Sequence, residues 1–123
     1  MLDFTDSELE ICYEKIISAA GLALRAGKCI LGSELCIKSI RSNKAKLAIT
    51  VSDISDNTRK KLTDSTDYHK VKLLTLPCTK EYLGQKLGKK AKVSCSVITD
   101  DGFVKIIEKI YSDIHTRFTE VQQ

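Results

Sequence analysis

Short β-branched runs alternate with segments of helical period along this chain, and that alternation restricts the fold more than any other feature. Apolar residues recur at helical spacing from Ser7 onward, at Leu9, Cys12, Ile16, Ala19, Ala20 and Ala23. Ser7 and Glu10 have the Ser-x-x-Glu spacing of a capping box, and Gly27 is placed to end the helix. A short strand at Lys28 to Leu31, a helix from Ser33 and the buried strand "KLAITVS" follow. Next come a polar helix from about Ser55 to Tyr68, the strand "VKLLTL" stopped by Pro77, and a helix capped by Thr79 that runs through Leu87. "VSCSVIT" supplies a fourth strand, and Asp100 caps a last helix with Phe103, Ile106, Ile107, Ile110 and Ile114 on its apolar side. The terminal "HTRFTEVQQ" is expected to fray. Strands separated by helices predict an α/β fold, a three-layer α/β/α sandwich around one sheet of about four strands.

The 123 residues suit one domain over 1–123 that buries a core without disulfides or metal, with its ordered part at about 7–114. Hydrophobic residues make up 42% and charged ones 29%, and no apolar run approaches the roughly 20 residues of a membrane span, so no membrane partner is expected. The acidic start "MLDFTDSELE" lacks the pattern of a signal peptide. Cys12, Cys29, Cys36, Cys78 and Cys95 are odd in number, sit mostly in apolar segments and show no Cys-x-x-Cys spacing, which predicts reduced core residues of a cytoplasmic protein. The net charge of +4 is unevenly spread: Arg25 to Lys92 holds 16 Lys/Arg against 6 Asp/Glu, while the two ends together hold 4 against 10. A basic body between acidic flanks suits a polyanionic partner such as nucleic acid, because neutralised phosphates release counterions.

Enzymatic motifs fail on their details. In "GLALRAGK" five residues separate Gly21 from Gly27 where a phosphate loop has four, Cys29 stands where the magnesium-holding Ser/Thr belongs, and the segment ends a helix instead of starting one. Asp53 closes a strand as a receiver-domain phospho-acceptor would, but no acidic pair follows the first strand, and Asp100 and Asp101 are better read as a cap and a favourable first-turn charge. His69 and His115 have no nucleophile setting. No catalytic set, metal cluster, cofactor or small-molecule substrate is therefore expected.

The stretch "KCILGSELCIKSIR" is more informative. At 100° per residue from Ser33, Cys36, Ile37 and Ile40 gather on one side, and Glu34, Lys38 and Arg41 on another. Leu35 projects with the polar set, where it could touch a partner. Gly32 allows close backbone approach, and a helix start with free N–H groups beside Lys28, Lys38 and Arg41 can face phosphate or base edges. Seven aromatic residues without an RNP signature argue against base stacking as the main mode.

These residues resemble a known family. Gly27-Lys28-x-x-Leu31-Gly32, followed by Lys38, is similar to the RNA-binding signature of the kink-turn-binding ribosomal proteins, the large-subunit proteins L-seven-Ae and L-thirty-e, and most of all to their bacterial YlxQ-type ribosomal-like branch. "LGQKLG", Leu83 to Gly88, resembles the family's Leu-Gly-x-Ala-x-Gly with Lys86 in place of alanine, and "AKLAITVSD" occupies its strand between the second and third helices. The resemblance implies a three-layer α/β/α fold and a non-enzymatic, ribosomal-protein-like RNA binder, with ribosomal or other structured RNA, and the ribosome itself, as expected partners. Carried over by position, Gly32 and Ser33 would present backbone to sheared G·A pairs, and Lys28 and Lys38 would meet phosphates or base edges. Leu76, Pro77 and Cys78 would form an apolar loop beside an extruded nucleotide. Glu34 and Leu35 replace the Asn-Glu or Lys-Gln of the best RNA-binding members: leucine makes no hydrogen bond, and the glutamate repels phosphate. That departure leaves an alternative, a protein-interaction module that uses Leu35 and the apolar loop as its contact patch.

Overall fold

The computed structural model describes the backbone of residues 6–122 and the side chains of residues 13–114. Within them the chain forms α1 (Asp6–Arg25), β1 (Cys29–Leu31), α2 (Ser33–Arg41), β2 (Leu47–Val51), α3 (Asp56–His69), β3 (Lys72–Leu76), α4 (Lys80–Lys86), β4 (Cys95–Ile98) and α5 (Asp101–Gln122). The caps expected at Thr79 and Asp100 form: the Tyr82 N–H donates to the Thr79 hydroxyl at 3.0 Å, and the Phe103 N–H donates to Asp100 Oδ2 at 3.1 Å. Ser55 caps α3 in the same way, accepting from the Thr58 N–H at 3.3 Å. The capping box at Ser7 and Glu10 falls on side chains outside the described residues, as do Cys12 and His115. The α5 backbone runs to Gln122, with no glycine or proline after Gly102 to break it.

Four helices end the same way, each turned off by one residue at positive φ: Gly27, Asn43, Lys70 and Gly88. At each, paired backbone bonds close the last turn. After α1 the Lys28 N–H donates to the Ala23 carbonyl at 2.7 Å, and the Gly27 N–H donates to the Leu24 carbonyl at 3.1 Å. Lys70, at φ 57° and ψ 40°, is the costly member of the set, because its Cβ crowds the backbone there.

The four strands form one sheet in the order β1-β4-β2-β3. β2 and β3 are parallel, and β4 runs antiparallel to both β1 and β2, with Ile98 facing Cys29 on one side and Leu47 on the other. The β1-α2-β2 and β2-α3-β3 crossovers advance in one direction along the sheet, so the right-handed rule places α2 and α3 on the same face. There Cys36, Ile37, Ile40 and Leu62 cluster with Ala48, Cys95 and Val97. The other face is covered by α1, α4 and α5, through Ile16, Ala20, Leu83, Ile107 and Ile114 against Leu47, Ile49, Leu74 and Ile98. β2 and β4 are buried along their whole lengths, as largely apolar strands between two helical layers should be, with Thr50 and Ser96 their polar members. The α/β/α sandwich expected from the alternation of elements is thus the architecture observed.

The two glycines of "LGQKLG" have separate structural tasks. Gly88 is the positive-φ residue that ends α4. At Gly84 the chain returning toward β4 passes so close that a Cβ would lie 2.3 Å from the Ala91 carbonyl oxygen. Gly84→Ala should therefore lower the unfolding free energy by roughly 2–3 kcal/mol, since backbone must move to admit the methyl. Lys70→Gly should raise it by about 0.5–1 kcal/mol, because relief of the left-handed backbone outweighs glycine's extra chain entropy. Urea unfolding of the two variants measures both signs.

Candidate nucleic-acid interface

The topology brings the ends of β1, β2 and β3 and the start of β4 to one end of the sheet, where Leu31 faces Ser96, Thr50 faces Cys95 and Val51 faces Leu76. Gly32 leads from β1 into α2 at this end. Its φ of 97° and ψ of 136° suit glycine and strain any L-residue. Its N–H donates to the Cys95 carbonyl at 3.0 Å, and its own carbonyl accepts the Cys36 N–H at 2.8 Å. A Cβ added here would meet no described atom within 4 Å, so the backbone faces open space. No side chain among the described residues caps α2, so its first-turn N–H groups and positive dipole end are offered outward.

α2 presents the faces that its sequence predicts. Cys36 and Ile40 are fully buried and Ile37 nearly so, while Glu34, Lys38 and Arg41 are exposed and Leu35 is 59% exposed. Burial of Ser39 widens the inner face by one position. A groove of about 490 Å³ runs between α2 and α3, with Ser33, Glu34, Lys38 and Arg41 on one wall and Thr58 and Lys61 on the other. Beneath it the Cys36 thiol donates to the Ile30 carbonyl at 3.3 Å, and its contact with the Cys95 thiol, together with burial, pushes its pKa far up.

At the opposite edge, the turn after β3 is braced by the end of β2. Ser52 donates to the Cys78 carbonyl through both its N–H, at 3.2 Å, and its hydroxyl, at 3.0 Å. Asp53 Oδ1 accepts the Lys80 N–H at 2.8 Å, so this aspartate holds the start of α4. Arg59 donates to the Ser52 carbonyl at 3.0 Å. Pro77 is exposed, and Cys78 is half-buried beside a cavity of about 250 Å³ shaped by Tyr13, Ile17 and Tyr82. Glu14 on the cavity wall accepts from the Tyr82 hydroxyl and pairs with Lys86 at 3.6 Å, which holds its carboxyl below the usual range.

Two expected site residues are placed elsewhere. Leu76, the last residue of β3, is 1% exposed and belongs to the core, so the apolar loop is reduced to Pro77 and Cys78. Lys28 lies at the far end of β1, where its carbonyl accepts the Thr99 N–H at 2.9 Å. The three residues of β1, a span of roughly 13 Å, separate it from Gly32. Gly32, Ser33, Glu34, Leu35, Lys38 and Arg41 share α2, and Pro77 and Cys78 reach the same sheet end from the opposite edge strand, three strand spacings or roughly 14 Å away. Ser52, Arg59, Thr58 and Lys61 were not singled out from sequence. Their sites follow from the parallel pairing of β2 with β3 and the packing of α3 on α2, which no local pattern announces.

A mixed four-stranded sheet in this order, between two helical layers, defines the class as an α/β/α sandwich domain. Within that class the chain belongs to the ribosomal protein L7Ae/L30e/S12e/Gadd45 family, which matches it over residues 14–108. It is 42% identical over 92 residues to the RNA-binding protein YlxQ of Enterococcus faecium, covering 75% of this chain and 86% of that protein. To the RNA-binding protein YlxQ of Bacillus subtilis strain 168 it is 45% identical over 83 residues, covering 68% and 81%. A solved structure from Bacillus halodurans, described as a protein with unknown function, matches with a TM-score of 0.71 at 27% identity over 78% of this chain and 95% of that one. The Giardia lamblia 15.5kD RNA binding protein has the same fold, with a TM-score of 0.69 at 16% identity over 93% of each chain. Among the described residues, no helix is long and apolar enough to cross a membrane, and no group of three or more His, Cys, Asp or Glu could hold a metal ion.

Cys29, Cys36, Cys78 and Cys95 are free thiols, and Cys78 alone of these is partly accessible. Burial, aided by the negative charge of Asp53, pushes its pKa up to about 11. Iodoacetamide should therefore label Cys78 at pH 8 at least about tenfold more slowly than a free cysteine, with the rate climbing above pH 9 as thiolate forms. The same raised pKa, shared by Cys29, favours the folded state while both thiols are neutral, so stability should fall as pH rises from 9 toward 11. Mass-spectrometric labelling rates and thermal melts check the two expectations.

Proposed function

We propose that this protein is a non-enzymatic RNA-binding protein of the cytoplasm that holds kinked or otherwise structured RNA, ribosomal RNA included, at the Gly32 end of its sheet. The observation that carries the reading is the uncapped start of α2, opened by a glycine at φ 97° whose backbone faces empty space. Free N–H groups and a positive helix end suit phosphate or the acceptor edges of sheared G·A pairs. Lys38, one turn along, and Arg41 follow on the exposed side and supply phosphate contacts. Pro77 and Cys78 offer an apolar surface to a nucleotide turned out of the stack. The relatives named as RNA-binding proteins support this reading over an enzymatic one. Lys28, at the other end of β1, adds long-range attraction without contact at this site.

Glu34 and Leu35 tune the site. The glutamate can accept from base amino groups but opposes a phosphate, and the leucine can do neither. Direct base reading is thereby weakened, and backbone shape carries more of the recognition. The 59% exposure of Leu35 favours a second reading, a protein-interaction module in which it anchors a partner. Leu35→Glu separates the two. A partner retained after nuclease treatment and lost in the variant supports the module, whereas RNA affinity that persists or tightens supports the RNA site.

A kink-turn RNA should bind at least about tenfold more tightly than a straight duplex of equal length, a difference of ~1.4 kcal/mol. Titration at two salt concentrations measures it, and equal weak binding to both would contradict kinked-RNA recognition. Lys38→Ala should weaken binding and make the slope of log affinity against log salt shallower by about one unit.

A further inference from the structure

The groove between α2 and α3 has a second wall, on α3, that the contacts proposed for kinked RNA do not use. β1 and β2 point the same way, both antiparallel to β4, so α2 and α3 leave the Gly32 end together and run to the opposite end. Thr58 and Lys61 line its α3 wall, opposite Ser33, Lys38 and Arg41 of α2. At the bottom, Asn43 Oδ1 meets His69 Nδ1 at 3.2 Å, tying the two helix ends together.

Tyr68 stands beside this tie and is 83% exposed, more than any other described large hydrophobic residue. Its ring meets the His69 ring edge-on, with centroids 5.0 Å apart and planes at 68°. A side chain so exposed contributes almost nothing to the core, and most of its ring stays open to solvent. Lys44 and Lys70, both exposed, follow Asn43 and His69 in the chain. Of the nearby carboxylates, Asp64 is paired with Lys60 at 3.2 Å, which leaves Glu34 at the groove's mouth and Asp67 beside Tyr68 against five cations: Lys38, Arg41, Lys44, Lys61 and Lys70.

We propose that the α2–α3 groove is a track for a single-stranded RNA segment, with phosphates passing Arg41 and Lys61 and an unpaired base stacked on Tyr68. This rests on the proposed RNA site at its upper end and extends it to the other end of the molecule. A basic groove ending at an aromatic platform is how proteins hold unpaired nucleic acid, since every base offers a π-face. A duplex would bury its base faces against one another and leave Tyr68 unused. From Gly32 to Asn43 the track measures roughly 16 Å at the helical rise, room for a few nucleotides.

The test compares a blunt kink-turn RNA with versions that carry an unpaired uridine extension of about eight nucleotides on either strand, read by fluorescence anisotropy. An extension on one strand should tighten binding about tenfold, and Tyr68→Ala should abolish that gain without changing affinity for the blunt RNA. Tyr68→Phe, which keeps the ring, should retain it. Because Tyr68 is so exposed, neither variant should disturb folding. If the protein ignores kink-turns altogether, unstructured oligouridine replaces them, and its binding should still fall about tenfold in Tyr68→Ala, which would support the track while removing the kinked-RNA site. Extensions that give no gain, or affinities for extended RNA and oligouridine that do not depend on residue 68, overturn the proposal.

Discussion

The pairing of β4 between β1 and β2 is the interaction on which the rest of this structure depends. The last strand in sequence is central in space, fully buried and hydrogen-bonded along both edges. Because it runs antiparallel to both neighbours, its first residues lie where β1 and β2 end. There the Cys95 carbonyl holds the Gly32 N–H, and the Ser94 carbonyl accepts the Thr50 hydroxyl at 2.8 Å. The backbone that opens α2 is thus set by a strand more than sixty residues later in the chain. A sheet lacking β4 would leave β1 unpaired and α2 without its anchor.

The residues that mark the family divide into those that build this end and those that face outward from it. Gly84 lets the chain returning to β4 pass close to α4, and Gly27 and Gly88 end helices, so all three serve the framework. Gly32 differs, because its conformation is special and the space beside it is open. Asp53 belongs with the framework, holding α4 through the Lys80 N–H. The proposed RNA contacts therefore fall in a short part of the motif, and the exposed Leu35 sits on the first turn of that part.

Where one residue's neighbours in sequence decide its surroundings, the fold was legible in advance. The 100° spacing of α2 correctly separated buried Cys36, Ile37 and Ile40 from exposed Glu34, Leu35, Lys38 and Arg41. Thr79 and Asp100 cap as their positions before apolar helices suggested. What long-range pairing decides was not legible. The strand order could not be read from four apolar runs that look alike. The strand pattern of "VKLLTL" already included Leu76, and only the family resemblance assigned it to the apolar loop; the parallel register with Val51 draws it into the core. Lys70 gave no sign of a left-handed conformation, since glycine or asparagine normally marks one. Tyr68, on a polar helix, gave no sign that its ring would face open solvent beside the tie between two helices.

The central claim is that the Gly32 end of the sheet is the RNA-facing surface. It is tested most directly by mapping backbone amide shifts of the 15N-labelled protein as a blunt kink-turn RNA is added. If RNA docks there, the largest changes fall at Gly32 to Leu35, at Ser52 and at Cys78 and Thr79, with β3's first residues and the outer face of α5 little affected. Shifts confined to α5 or to the Lys28 end of the sheet, with Gly32 unmoved, would contradict it.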